Sequence, residues 1–252
     1  MNKLDKISRL FKIFSYFTLV LSKWRLVYSI LMIVFSQLLL LISYFLPIKI
    51  LLIISSEEVT KKISELFFDL GKNEIIIFLT ISVFFVYSFH LILEKVISIN
   101  IHKMVFEIFK TKELLINTFE LKYLDSFIKL LSNSFLIFLL FLIIVFIYPF
   151  IGVVIFLYFM LLFLYFLSIK IPKDKFTNRL KILSAFGFML IFLLEILDIT
   201  YFKMNTETSI YNIVIVLILS RYIFMRIIFI ISKVFFINSS YGNFLKKANL
   251  IK

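Results

Sequence analysis

The apolar stretch VLILSRYIFMRIIFIISK, residues 216–233, contains two arginines. A guanidinium at the centre of a membrane helix costs at least about 2.5–3.5 kcal/mol, so it should face a protein partner or a wet cavity. Two carboxylates stand in the preceding apolar run. Glu195 and Asp198 are three residues apart and share one helix face. At 1.5 Å per residue, Arg221 and Glu195 come to comparable depth on adjacent antiparallel helices. The expectation is an Arg221–Glu195 pair, with Asp198 nearer the outer surface. Such a pair serves either to register two helices or to line a polar cavity for a substrate or ion. Arg226 lies five residues on, about 140° round the helix, and is expected to snorkel toward the cytoplasmic interface. Ser36 and Gln37 are the polar pair inside the first apolar run and call for interhelical hydrogen bonds. His90 and Glu94 are one turn apart and face together, as an interfacial pair near the inner leaflet.

Other chemistries find no residues to carry them. The chain has no cysteine and only two histidines. Disulfide, thiol and Cys-based metal chemistry are thereby excluded, and one His with one Glu is too few for a metal site. Gly71-Lys72 lacks the upstream glycine of a phosphate-binding loop, and neither HExxH nor GxSxG occurs. No catalytic residue, metal ligand or cofactor is expected, and the chain reads as a non-enzyme. The basic clusters all flank apolar runs, where topology and anionic lipid account for them without nucleic acid.

The elements that position these residues follow from composition. Of 252 residues, 62% are hydrophobic and 17% charged. The charge falls between long apolar runs, which identifies an all-α integral membrane protein. No polar stretch is long enough to bury a core of its own, and no cleavable leader is evident. The runs are 26–46, 75–93, 132–148, 151–169, 183–202 and 211–231. Each is long enough to cross a hydrocarbon core of about 30 Å as a helix. Residues 135–169 carry no charge at all, and Pro149 with Gly152 in YPFIG supplies a tight turn that divides them. Alanine and glycine are scarce, which predicts wide helix contacts filled by Phe, Leu and Ile.

Lys and Arg fix the sidedness. Twenty-one lie in 1–25, 95–129, 170–181 and 233–252, against five in the opposite segments. Both termini are therefore expected in the cytoplasm, with the acidic segment 56–74 outside. Leu10, Phe11, Phe14, Phe17 and Leu21 recur at helical spacing opposite Lys6, Arg9 and Lys12. This reads as an amphipathic helix along the cytoplasmic leaflet. The expected organisation is an elbow helix at 1–25, six spans over 26–238 and a cytoplasmic tail at 239–252.

The layout resembles the six-helix transmembrane domain of type I ABC exporters, in a stand-alone form with no fused ATPase domain. SKWRLVYSILMIVFSQLLLLISYFLPIKILL looks like the first span, ending in a Pro-containing stretch. ISVFFVYSFHLILEKVISINIHKMVFEIFKTKELL resembles the second, which in such exporters runs on into the cytoplasm. YLDSFIKLLSNSFLIFLLFLIIVFIYPFIGVVIFLYFMLLFLYF resembles the third and fourth spans with their outer turn, and SRYIFMRIIFIISKVFFINSSYGNFLKKANLI the sixth. The resemblance implies a multi-pass subunit of a bacterial cytoplasmic membrane, acting as a homodimer or hetero-oligomer, with any ATPase a separate subunit. It also implies a coupling loop near Lys110, Lys112 and Glu113, with its tip at Lys112–Thr118. The segment 170–181 is too short for the second coupling element of such exporters. A non-transporting scaffold, an accessory subunit or a channel-forming effector stays open beside transport.

The topology is directly testable. Labels at both termini and at position 175 are expected to react only from the cytoplasm, and one at position 66 only from outside. Labelling of 66 and 175 from one side excludes the six-span arrangement.

Overall fold

The computed structural model describes residues 23–55, 60, 71–110, 118–168, 173–202 and 206–247. The described residues form six helices: α1 (Lys23–Ser55), α2 (Lys72–Lys110), α3 (Thr118–Ile147), α4 (Pro149–Ser168), α5 (Lys173–Phe202) and α6 (Thr206–Lys247). Five contain apolar stretches long enough to cross a membrane: Trp24–Ser55, Lys72–Met104, Lys122–Ile147, Asn178–Leu197 and Asn212–Ile237. Pro149–Leu162 of α4 is a shorter apolar stretch. Large apolar side chains such as Phe84, Phe85, Phe146 and Leu161 stand exposed along these helices. Apolar surface on this scale suits hydrocarbon rather than water. The described residues are all helical, as composition leads one to expect, and five of the helices are long and apolar enough for a membrane protein.

The helices outrun the apolar runs. The first span is expected at 26–46, yet α1 continues through Pro47 to Ser55. The segment 95–129 is largely helix, because α2 reaches Lys110 and α3 starts at Thr118. The segment 170–181 is largely helix as well, since α5 starts at Lys173. A charge-free run marks only what tolerates hydrocarbon. The backbone ladder continues for as long as nothing breaks it, and Lys, Glu and Met are good helix formers. The proposed elbow helix at 4–22, most of the segment 56–74, and Lys112 and Glu113 lie outside the described residues.

Two compact units are present. One spans Trp24–Ile116 and contains α1 and α2; α3–α6 belong to the other. In the first, Gly71 begins α2. Its amide donates to Glu74 Oε2 at 2.9 Å, and Ile75 N donates to its carbonyl at 3.0 Å, as half of a capping box. Lys72 Nζ donates to the Ile54 carbonyl on α1 at 3.2 Å. Beneath that tie, Ile53, Ile75 and Leu79 are buried against Leu46, Ile50 and Ile76. The first two helices are thus pinned as an antiparallel pair at this end.

The second unit closes on itself. α3 packs against α4 and α6, and α5 also packs against both α4 and α6. Each helix has two principal neighbours, which makes a four-helix bundle of up-and-down type. The expected turn at YPFIG is present. Tyr148 separates α3 from α4, Pro149 opens α4 where its missing N–H costs nothing, and Gly152 N donates to the Tyr148 carbonyl at 3.1 Å. A Cβ on Gly152 would lie 3.2 Å from the Val145 Cα, so this glycine lets the two helix ends close together.

Gly187 performs the same service deeper in the bundle. A Cβ there would meet the Tyr158 ring at 2.5 Å and the Phe224 ring at 2.8 Å. Tyr158 and Phe159 both pack edge-on to Phe224, with ring centroids 5.5 and 5.6 Å apart. The Tyr158 hydroxyl donates to the Leu183 carbonyl on α5. One glycine and three rings therefore lock α4, α5 and α6 together. Gly187→Ala is expected to destabilise the protein by about 1–3 kcal/mol through overpacking. Gly71→Ser, where the nearest atom is 3.6 Å from the new Cβ, is expected to be neutral. Thermal unfolding in detergent distinguishes them; equal midpoints would remove the lock.

Candidate functional site: polar groups inside the spans

The polar groups gather at two places, one in each unit. In the larger unit they run along the α3–α6 contact. Arg226 Nη1 donates to Asn133 Oδ1 at 3.2 Å, and Nη2 donates to the Tyr222 hydroxyl. The guanidinium also lies over the Tyr222 ring, 4.7 Å from its centroid. Asn133 Nδ2 in turn donates to the Lys129 carbonyl at 2.6 Å. Two helical turns further along, Lys233 Nζ donates to Ser126 Oγ at 3.3 Å and sits over the Phe229 ring. Beyond it, the Tyr123 hydroxyl donates to the Ile237 carbonyl at 3.4 Å. Seven residues up α3, from Ser126 to Asn133, match seven down α6, from Lys233 to Arg226. The three contacts are rungs of one antiparallel register.

These partners are deeply set. Ser126 and Asn133 are each 3% exposed and Tyr123 is fully buried. Hydrogen bonds to charged groups contribute about 1.5–3 kcal/mol, and cation–π contacts about 0.5–2 kcal/mol. Together they offset a good part of the insertion cost of Arg226. The expectation that Arg226 snorkels is corrected: it reaches sideways to α3, because an amide and a phenol stand at its own depth.

The Arg221–Glu195 pair does not form. Glu195 is buried at 2% exposure and its Oε2 has no partner, while Arg221 is exposed. Register and azimuth both separate them: with Gly187 opposite Phe224 on antiparallel helices, Arg221 stands level with residue 190, about 7.5 Å from the level of Glu195. At 100° per residue, Ser220 and Phe224 share the face of α6 that meets Gly187 on α5. Arg221 is rotated off that face and shares its direction with exposed Met225. Glu195 completes the inward stripe Leu180, Ser184, Gly187 and Ile191. Asp198 is on α5 as expected, and its side chain lies outside the described residues, as does that of Lys110.

In the smaller unit, Ser36 meets His90. Nδ1 of His90 lies 2.8 Å from Ser36 Oγ and 2.9 Å from the Ser36 carbonyl oxygen. Nε2 lies 3.7 Å from Glu94 Oε1 one turn along α2. Ser36 and His90 are buried, whereas the Glu94 side chain is 54% exposed. The shared face of His90 and Glu94 and the interhelical bond of Ser36 are as the sequence indicates. The joining of the two into one cluster is new. Ser29 Oγ, 3.9 Å from Met104 Sδ, adds a second polar touch between α1 and α2. Gln37 is half-buried beside Ser36.

Sequence reading misses Asn133, Ser126, Tyr222 and Lys233. Asn133 falls at the edge of a span taken to start at residue 132, while Ser126 and Lys233 fall in segments taken as cytoplasmic flanks. The available signal is spacing: Arg226 and Lys233 are two turns apart, as are Ser126 and Asn133. Among the described residues, no group of three or more His, Asp or Glu side chains is placed to hold a metal ion. In comparisons with known proteins, no family model, curated protein or solved structure matches the chain.

Asn133→Leu removes the hydrogen bond that Arg226 makes to Asn133 on α3 and is expected to cost about 1.5–3 kcal/mol. Adding Arg226→Leu is expected to recover most of that loss, since removing both members of a buried polar pair can be nearly neutral. Arg221→Leu is expected to leave the stability of the isolated chain unchanged within about 0.5 kcal/mol. Reversible unfolding in detergent checks all three. Additive losses from Asn133 and Arg226 would separate the two residues.

Proposed function

We propose that the chain is a non-catalytic membrane subunit of a transport system, built like the transmembrane domain of a type I ABC exporter. It crosses the membrane six times with both termini in the cytoplasm. It works as a homodimer or with a partner chain, and any ATPase is a separate subunit. The observation that carries this reading is the line of polar groups between α3 and α6, with Glu195 buried in the same bundle. Polar and ionisable groups are costly in lipid and concentrate along substrate and ion paths.

Three further features support it. α4 has 20 residues, about 30 Å of helix, which makes it long enough for a sixth span. α2 and α6, with 39 and 42 residues, extend about 58 and 63 Å, well beyond a bilayer core. Continuous helices projecting from the membrane are what the exporter resemblance implies. Arg221 gives the argument for a second chain: an exposed guanidinium within the apolar stretch of α6 calls for water or protein against it.

One observation favours a different class. Only residues 169–172 separate α4 from α5, which leaves no length for a second coupling element there. An accessory or scaffold subunit needs none.

Isolation from native membranes through a C-terminal tag decides between them. Transport predicts that an ATPase co-purifies and that nucleotide alters the complex. The chain alone is expected to bind no ATP. A stable complex without an ATPase and indifferent to nucleotide would establish the accessory role instead.

A further inference from the structure

We infer that α6 presents a seam for a transmembrane helix of another protein, one that carries a carboxylate midway through the membrane, and that Arg221 is the charged contact to it. The inference deepens the reading above by naming the chemistry of the partner chain. It rests on α6 crossing the membrane and is indifferent to whether an ATPase co-purifies.

The first observation is spacing. Val214, Ile218, Arg221, Met225, Ile228 and Ser232 follow one another at alternating steps of four and three residues. This is the heptad pattern by which one helix packs along another at a shallow angle. All six stand on α6 and none is buried: Arg221 and Met225 are exposed, and the other four are half-buried. The rest of the helix surface at this level is taken up within its own unit. Val216, Leu219, Ser220, Tyr222, Ile223 and Phe224 are all buried. The seam is an open strip beside that covered face.

Neither lipid nor water suits the strip. Arg221 lies nine residues from the nearer end of the apolar stretch Asn212–Ile237, about 14 Å, too far for its side chain to reach a headgroup. A guanidinium facing hydrocarbon at that depth is costly. A water-filled cavity needs polar walls, yet Val214, Ile218, Met225 and Ile228 are apolar. Among the described residues, none forms a hydrogen bond or ion pair with Arg221.

A second copy does not fit either. Copies of one chain share an orientation in the membrane, so a symmetric pair packed seam to seam sets Arg221 against Arg221 at one level. Within the six apolar runs the chain's carboxylates are Glu195 and Asp198. By the Gly187–Phe224 register they stand about 7.5 and 12 Å from the level of Arg221, and Glu195 is buried. What fits is an apolar helix with Asp or Glu opposite Arg221. Its carboxylate accepts paired hydrogen bonds from the planar guanidinium, and its apolar residues pack along the rest of the strip. One charged pair at the centre selects both partner and register, because sliding by a turn leaves two charges unpaired.

The probe is a synthetic transmembrane helix of leucine and alanine with one central aspartate, compared with a twin that has leucine in its place. Each carries an acceptor dye. The full-length chain, which has no cysteine of its own, carries a donor at Lys247→Cys. Energy transfer is measured in phosphatidylcholine vesicles as peptide content rises. The aspartate helix is expected to associate about tenfold more tightly than its twin. Arg221→Leu is expected to erase that preference, and Arg221→Glu to transfer it to a helix with a central lysine. Thermal midpoints of both variants, taken in parallel, verify that they are folded. Equal association of the aspartate and leucine helices, or a preference that survives Arg221→Leu, would overturn the inference. So would a disulfide-linked dimer of Met225→Cys formed in native membranes, which would give the seam to a second copy.

Discussion

Hydrocarbon offers no hydrogen bonds, so each polar group carried into it must take its partner from the protein. Here the partners chosen decide which helices touch and in what register. Arg226 needs acceptors; Asn133 and Tyr222 supply them, and α3 is drawn against α6. Lys233 and Ser126 repeat the contact two turns away, so sliding either helix by one turn breaks both rungs. The hydrophobic effect supplies little preference between lipid and protein neighbours for Leu, Ile or Phe. Polar rungs and shape must do the selecting. Gly152 and Gly187 provide the shape, by letting α3 approach α4 and by admitting Tyr158 and Phe224 to α5.

The same constraint explains what could be read from the sequence. Helical class and the YPFIG turn were legible, because apolar length and a proline–glycine pair are local signals. The shared face of His90 and Glu94 was legible for the same reason. Helix ends were not, since a span is recognised by absence of charge while the helix continues past it, as α2 does through Lys95 and Lys103. Neither the register of Arg221 against α5 nor its direction was legible. In a soluble helix the polar face marks the outside; in lipid both faces of α6 are apolar, and the code is erased. Only knowing that Phe224 meets Gly187 reveals that Arg221 points elsewhere.

The two units accommodate their polar groups differently. Along α3–α6 the cations Arg226 and Lys233 meet the polar side chains of Asn133, Tyr222 and Ser126 and the rings of Tyr222 and Phe229. Glu195 is buried in that same bundle with an unmatched oxygen. Between α1 and α2 the polar contact is instead the buried Ser36–His90 hydrogen bond, with Glu94 one turn along α2.

The central claim is that polar rungs set the α3–α6 register. The chain has no cysteine, so introduced thiols can be paired without background. Ser126→Cys combined with Lys233→Cys, treated with a short bifunctional thiol reagent in native membranes, should crosslink within the chain. Ser126→Cys combined with Arg226→Cys, two turns or about 10 Å out of register, should not. Equal crosslinking of both pairs, or crosslinking of the second alone, would contradict the register and the account built on it.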